Sequence, residues 1–235
     1  MASCIVALLE PKISGDKAHH IMTSRGFSRS IRVEAEGFSG RIWLLWRDEE
    51  VHLSFLSSGK QVINVMVHGV SDWILSIIYA SPHPATRELL WEAFADIAST
   101  HDYPWLVMGD FNQIANLEDK MGGNQRFIRD MESFATWMEC CSFFDLGFTG
   151  PRFTWSDSWD TGRRRMKRLD RANANTAWRL LFPDALVNNL PKRSSDHAPL
   201  LMTFNNKTTS LTRHDKLFKF EATWIAKAKK HMHTV

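Results

Sequence analysis

Apolar positions along the chain recur mostly at every second residue or in short unbroken runs, a strand-rich pattern broken at a few places by helical spacing. Residues 4–10, Cys-Ile-Val-Ala-Leu-Leu-Glu, are nearly continuously apolar, as a strand buried on both faces is. Residues 51–57 alternate, with Val51, Leu53 and Phe55 on one face. Residues 61–69 alternate through Ile63, Val65 and Val67, and a strand over 73–80 follows a Gly-Val-Ser-Asp turn. Further short strands are expected over 105–111, 152–156, 167–174, 185–191 and 197–204. A helix is expected over 84–100, with Leu89, Leu90, Ala93, Phe94, Ile97 and Ala98 on one stripe. Glu88, Glu92 and Asp96 fall on its other face, and Thr86 serves as N-cap. A second helix over 126–141 carries Phe127, Met131, Phe134, Met138 and Cys141 at alternating spacings of four and three, and a weaker one covers 15–25. Many strands with a few covering helices predict an α+β sandwich of mostly antiparallel sheets. One domain is expected over 1–204, with 205–235 a polar linker and the start of a C-terminal helical segment.

Composition narrows the class. Hydrophobic residues make up 44% and charged residues 23% of 235, a globular balance that excludes disorder. Ten Trp and fifteen Phe point to a core rich in rings. The formal charge of +3 is too small to diagnose a nucleic-acid binder, so that case rests on where the charge sits. Cys4, Cys140 and Cys141 form no C-x-x-C pair and suit a reducing compartment. The N-terminus lacks a basic stretch before its apolar residues and reads as a strand, and no apolar run approaches the ~20 residues that span a bilayer. The expectation is a soluble, intracellular protein, nuclear or cytoplasmic, acting as a monomer.

Several polar residues stand where buried strands begin or end. The run 104–116, PWLVMGDFNQIAN, closes a buried strand with Asp110 and Asn112, two apart and able to project the same way. Glu10 ends the first strand, Asp170 lies inside a basic run, and Asp196 and His197 precede the last apolar strand. Each has a plain alternative: a solvated strand end for Glu10, a partner for neighbouring arginines for Asp170, a turn former for Asp110, Asn112 or Asp196, a core-edge ring for His197. Tyr79 could equally be a strand-end aromatic. The run GRRRMKRLDR brings Arg163, Arg164, Arg165, Lys167, Arg168 and Arg171 close to Asp170. Next to a candidate site, such a run favours phosphate contact over a merely solvated loop.

The ordered set of one early acid, then GDFN, then RLD, then SDH resembles the endonuclease/exonuclease/phosphatase superfamily. The segments VEAEGFSGRIWLLW, YASPHPATRELLWE, DLGFTGPRFTWS, RLDRANANTAWRLLFPDALVNNLPKRSSDHAPLLM and KLFKFEATW are similar, in order, to plant LINE-type (non-LTR) retrotransposon endonuclease-domain proteins. The resemblance covers about residues 4–204 and continues faintly through the tail. It implies a four-layer α/β/β/α sandwich of the DNase I-like kind, Mg²⁺ or Mn²⁺ as cofactor, and DNA as partner through backbone contacts. It implies metal ligation by Glu10 with Asp196 beside it, and proton management at the attacking water or leaving group by Asp110. It gives Asn112 a hold on nucleophile and phosphate, His197 oriented by Asp170 a bond to a phosphate oxygen, and Tyr79 a bond to the phosphate.

One departure stands out. The family carries an additional first strand, with a W-N-x-R-G-like motif, before the one ending in Glu10, and only nine residues precede Glu10 here. Pro11 also stands where the family usually has Thr. The expectation is an N-terminally truncated, retroelement-derived chain whose first strand is missing, leaving one edge of 4–10 unpaired. Three functions remain open: metal-dependent DNA nicking, an inactive remnant that binds nucleic acid, and hydrolysis of a small phosphate ester.

Overall fold

The structure, a computed structural model, describes residues 5–11, 20, 22–33, 42–123, 128–157, 165–193, 195–204 and 217–219. One six-stranded sheet contains β1 (Ile5–Leu9), β2 (Arg29–Val33), β3 (Ile42–Trp46), β13 (Leu186–Asn189), β14 (Leu200–Thr203) and β15 (Leu217–Lys219), in the order β13-β14-β15-β1-β3-β2. A second contains β4 (His52–Gly59), β5 (Val62–His68), β6 (Trp73–Tyr79), β7 (Trp105–Asp110), β9 (Phe143–Asp145) and β12 (Asp170–Asn175), in the order β4-β5-β6-β7-β12-β9. A small third sheet, ordered β10-β11-β8, comprises β8 (Lys120–Met121), β10 (Trp155–Ser156) and β11 (Met166–Lys167). Pairing is antiparallel except between β1 and β15 and between β6 and β7. The helices are α1 (Pro84–Thr100), α2 (Ile128–Cys140) and α3 (Thr176–Leu181).

Period-two alternation sorts side chains into layers. Ile5 and Ala7 of β1 face the space between the large sheets, where they meet Ile63, Val65, Leu75, Ile77, Leu106 and Met108. Val6 and Leu8 point the other way and pack with Trp43, Leu45, Met22 and Phe27, Met22 coming from a short helical turn. The outer face of the second sheet presents Ile74, Ile78, Trp105 and Val107 to Leu90, Trp91 and Phe94 of α1 and to Phe134 and Trp137 of α2. Ring packing dominates there, with Trp91 and Trp137 stacked at 4.4 Å and Phe94 edge-on to Trp105 at 5.3 Å. Such pairs contribute about 0.5–1.5 kcal/mol each beyond their area burial. Helix, sheet, sheet and a helical turn thus follow in order, as expected.

The differences from expectation have local causes. Helix α1 is capped by His83, not Thr86, because Pro84 stands at the first helical position, where its fixed φ suits the helix and its missing N–H costs nothing. Its buried face is Arg87, Leu90, Trp91 and Phe94, and Leu89 turns outward at 62% exposure. Phe55 stands opposite the buried Val65 but is 55% exposed, because β4 is the edge strand of its sheet, and the ladder shifts register just beyond it. Strand β3, an unbroken Ile-Trp-Leu-Leu-Trp run buried throughout, belongs with the expected strands and was not among them.

Residues 217–219 form strand rather than linker or helix, inserted between β14 and β1. The edge of β1 expected to be unpaired therefore meets β15, with Ile5 opposite Phe218. A three-residue segment gains backbone partners on both sides there, which a stray helical turn lacks. Phe127 and most of 15–25 lie outside the described residues. Among the described residues, no helix is long and apolar enough to cross a membrane.

Candidate active site

Strands β7 and β12 run antiparallel with Asp110 directly opposite Asp170, so two carboxylates meet at one rim of the second sheet. Both are 2% exposed. The sequence of β7 explains why the acid sits there. Trp105 to Met108 bury both faces of the strand, and Gly109 follows with φ +141°. A Cβ on Gly109 would lie 2.1 Å from the Ile78 carbonyl oxygen, so only glycine lets β6 and β7 stay this close. Phe111 then anchors the chain in the ring cluster. Asn112 turns back with φ +47°, a left-handed conformation that Asn tolerates better than most residues.

That turn joins the acid and the amide into one unit. The Asn112 backbone N–H donates to Asp110 Oδ1 at 2.8 Å, and Asn112 Nδ2 donates to Asp110 Oδ2 at 3.1 Å and to the Ala80 carbonyl at 2.7 Å. Both amide hydrogens are thus engaged, which makes Asn112 the residue that aims Asp110 rather than a direct holder of phosphate in this state. Burial, then the charge of Asp170, pushes Asp110 up to about 7, against the opposing pull of His197 and the Asn112 N–H.

His197 completes the group. Its Nδ1 bonds Asp170 Oδ2 at 2.8 Å, and its Nε2 lies 3.9 Å from Asp110 Oδ2. Burial by itself lowers its pKa, but the charge and hydrogen bond of Asp170, with the charges of Asp110 and Asp196, prevail and push it up to about 10. At neutral pH the ring is therefore a double donor, with Nδ1–H fixed on Asp170 and Nε2–H turned toward the side of Asp110. Asp170 is itself held. Thr154 Oγ1, fully buried, accepts from the backbone N–H groups of Leu169 and Asp170 at 3.0 Å each.

Three more predicted residues join this rim. Tyr79 ends β6 opposite Asp110, and its hydroxyl donates to Glu10 Oε1. Burial, then the bond and charge of Glu10 and the charges of Asp110 and Asp196, raise the Tyr79 pKa, so the phenol stays a donor. Glu10 leaves β1 with φ +50° and is exposed. Asp196, also exposed, accepts the Trp155 indole N–H at 3.1 Å. All six residues, Glu10, Tyr79, Asp110, Asp170, Asp196 and His197, come together.

The donor set fits a hard divalent cation. Three carboxylates, Asp110, Asp170 and Asp196, act on a single imidazolium, Glu10 stands by through Tyr79, and carboxylate oxygen is the ligand Mg²⁺ prefers. Asp110, Asp170 and His197 place ligand atoms within 4.8 Å of one another. A protonated ring bonded to Asp170 is nevertheless a poor ligand, and Glu10 and Asp196, exposed on the same rim, are residues that could hold such an ion.

The basic run divides. Arg163 and Arg164 lie outside the described residues, while Arg165 is exposed and ion-paired with Asp157. Arg168 and Arg171 are not surface groups at all, being 7% and 1% exposed. Arg168 bonds Asp145 Oδ1 at 2.7 Å, Arg171 bonds Asp145 Oδ2 at 2.8 Å, and Arg171 also pairs with Asp119. Their expected contact with nucleic-acid phosphate is therefore replaced by a buried role. The charge run hid this because its acidic partners are distant in sequence.

Burial would raise the Asp145 pKa, but the hydrogen bond and charge of Arg168 and the charge of Arg171 hold it below the usual range. A depressed carboxylate contributes stability above its unfolded pKa of about 3.9, lost as pH falls through the folded value. Urea midpoints from pH 7 to pH 3 should fall steeply for the wild type. In Asp145→Asn they should start lower and fall less, and parallel profiles would show that this pair does not set the acid limit.

Sequence reasoning missed Thr154, Trp155 and Arg87 as parts of this region. Arg87 is 4% exposed and ties the Ser81 carbonyl (2.9 Å) to Gln113 Oε1 (2.7 Å), joining the loops after Tyr79 and Asn112. No motif pointed to these roles, since each depends on loops brought together only by folding.

The family described as Endonuclease/Exonuclease/phosphatase matches residues 16–197. The chain belongs to that family. Glu10 lies just before the matched span, so its place in the site rests on the geometry above. Family members are hydrolases of phosphodiester bonds and generally use divalent metals. No curated protein matches the sequence. Among solved structures, the endonuclease domain of TRAS1, a telomere-specific non-LTR retrotransposon, is similar at a TM-score of 0.63 and 14% identity, covering 87% of this chain and 99% of that one. The 3′ phosphatase NExo from Neisseria, bound to product DNA hairpin, gives 0.62 and 20%, covering 86% and 89%. The Xenopus laevis APE2 catalytic domain gives 0.60 and 13%, covering 93% and 85%. These likenesses establish the DNase I-like fold.

Proposed function

We propose that the protein is a divalent-metal-dependent phosphodiesterase that nicks DNA, of the kind carried by LINE-type retroelements. The observation that carries this reading is the buried Asp110–His197–Asp170 group set beside the exposed Glu10 and Asp196. With a pKa near neutrality, Asp110 takes a proton from the attacking water, and Asn112 fixes the direction in which it does so. His197, kept protonated by Asp170, donates from Nε2 to a non-bridging phosphate oxygen as charge grows there. Tyr79, on the same rim, positions Glu10 by donating its hydroxyl to Oε1. Glu10 and Asp196 would hold Mg²⁺ or Mn²⁺, which would supply Lewis-acid neutralisation of phosphate charge.

DNA is favoured over a small phosphate ester by the basic run that holds Arg163, Arg164 and Arg165, close in sequence to Asp170. Similar folds occur in NExo, bound to product DNA hairpin, and in the endonuclease domain of the non-LTR retrotransposon TRAS1, which supports the same class here. Supercoiled plasmid incubated with Mg²⁺ should convert to the open-circular form, and EDTA should stop the conversion. Intact plasmid together with turnover of a small phosphomonoester would replace DNA by the smaller substrate.

A further inference from the structure

The end of the second sheet away from the catalytic rim carries another group of titratable side chains. Tyr79 and Asp110 close β6 and β7 at the rim, whereas Val67 of β5 stands opposite Trp73, the first residue of β6. His52 opens β4 and His68 closes β5, and the two stand directly opposite each other on antiparallel strands. Directly opposed residues project from the same face of a sheet, with Cβ atoms about 4.5–5.5 Å apart. The two imidazoles meet there, with ring centroids 5.1 Å apart and planes tilted by 34°.

Each ring has an acid beside the same nitrogen. His68 Nδ1 lies 3.0 Å from Asp72 Oδ2, and His52 Nδ1 lies 3.7 Å from Asp48 Oδ1. A carboxylate only accepts, so His68 carries a proton on Nδ1, and Nε2 of the neutral ring keeps its lone pair. That lone pair takes the Ser54 hydroxyl at 2.8 Å, a bond that a rotatable group can give up. The Gly69 N–H donates to the other Asp72 oxygen at 3.4 Å and so helps to place the acid. A carboxylate on one ring nitrogen fixes the tautomer and raises the basicity of the other, the usual support of a metal-ligating histidine. The spacing fits as well. Two imidazole nitrogens bound to one Zn²⁺ at about 2.0–2.1 Å, with a tetrahedral angle between them, set their ring centroids roughly 5 Å apart.

We propose that His52 and His68 form a two-histidine site for a divalent transition metal of the Zn²⁺ class, with water filling its remaining positions. Imidazole suits such ions, whereas the carboxylates at the catalytic rim suit Mg²⁺, so the two ends of the sheet sort different metals. His52 and His68 bracket the hairpin of β4 and β5, and β4 is the edge strand of its sheet. One bound ion ties the open end of that hairpin shut. The site shares no residue with the catalytic rim and does not depend on the nicking reading.

The test is Zn²⁺ binding by the full chain in buffer containing Mg²⁺, measured by competition with a chromophoric zinc chelator. The wild type should bind one Zn²⁺ more than the double variant His52→Gln, His68→Gln, and either single variant should lose most of that affinity. Asp72→Asn should weaken binding about 10–100-fold, the range for losing the carboxylate behind a ligating histidine. Ser54→Ala should match or exceed the wild-type affinity. His101→Gln, at the C-terminal end of α1, should match it. Zn²⁺ should also raise the melting temperature of the wild type by more than that of the double variant, because an ion bound only by the folded state stabilises it. That shift is read within each protein, so it stands even where a substitution lowers stability by itself. Equal stoichiometry in the wild type and the double variant overturns the site, as does wild-type affinity in Asp72→Asn. A loss in His101→Gln as large as in His68→Gln overturns it as non-specific surface binding.

Discussion

Asp110→Asn is expected to slow nicking by about 10²–10⁴-fold, the range for losing a positioned general base, without lowering the melting temperature. The two halves of this expectation have one cause. Asp110 is buried directly opposite Asp170, and its pKa is pushed up to about 7 by burial and by that neighbouring charge. A carboxylate held near neutrality takes a proton readily, which an amide cannot do. The same crowding destabilises the folded state, so removing one charge relieves repulsion. One hydrogen bond is lost in exchange, because an amide nitrogen would face an Asn112 donor. The measurements are single-turnover plasmid nicking in Mg²⁺ and thermal unfolding of both proteins. Retained nicking, or a loss of activity matched by a large drop in melting temperature, would show that Asp110 is structural.

How much of this could be read from the chain depends on how far apart the interacting residues lie. The GDFN turn was legible because one short segment contains the buried strand, the glycine, the acid and the amide. What it did not show is that Asn112 spends both amide hydrogens on Asp110 and Ala80. Period-two runs gave most strands of the two large sheets, while β8 and β11, two residues each, are too short for any periodicity to register. The pairing of His197 with Asp170 followed from family resemblance and not from pattern. Thr154 holds the Asp170 backbone through a fold contact that no local signal announces.

The basic run gives the clearest lesson. Six cations within nine positions read as one surface, yet strand geometry gives them different fates. Residue 165 stands on a hairpin beside solvent, residue 167 on a small half-buried sheet, and residue 171 inside a central strand. In β12, Asp170 and Arg171 are adjacent and so face opposite sides, the acid toward the site and the guanidinium into the protein. An arginine there has to find acids, and it finds Asp119 and Asp145 from two other segments.

Arg171→Met should consequently be the most destabilising of the substitutions considered, by about 3–5 kcal/mol, the range for removing one partner of a buried ion pair. The guanidinium is 1% exposed and spans two carboxylates. Asp119 is 3% exposed and also accepts the backbone N–H groups of Ala115 and Asn116, closing the 3₁₀ turn Leu117–Asp119 that follows the Asn112 loop. Without Arg171, Asp119 becomes a buried anion left with a weak 4.0 Å approach from Arg168. Asp145 keeps Arg168 at 2.7 Å, so the damage should centre on Asp119. Adding Asp119→Asn removes the stranded charge and keeps an oxygen for the turn, so the double variant should recover part of the loss. Urea unfolding of the wild type, both single variants and the double variant gives the coupling energy directly. Additive losses, or a cost below about 1 kcal/mol for Arg171→Met, the exposed-pair range, would return Arg171 to the surface role that its place in the basic run first implied.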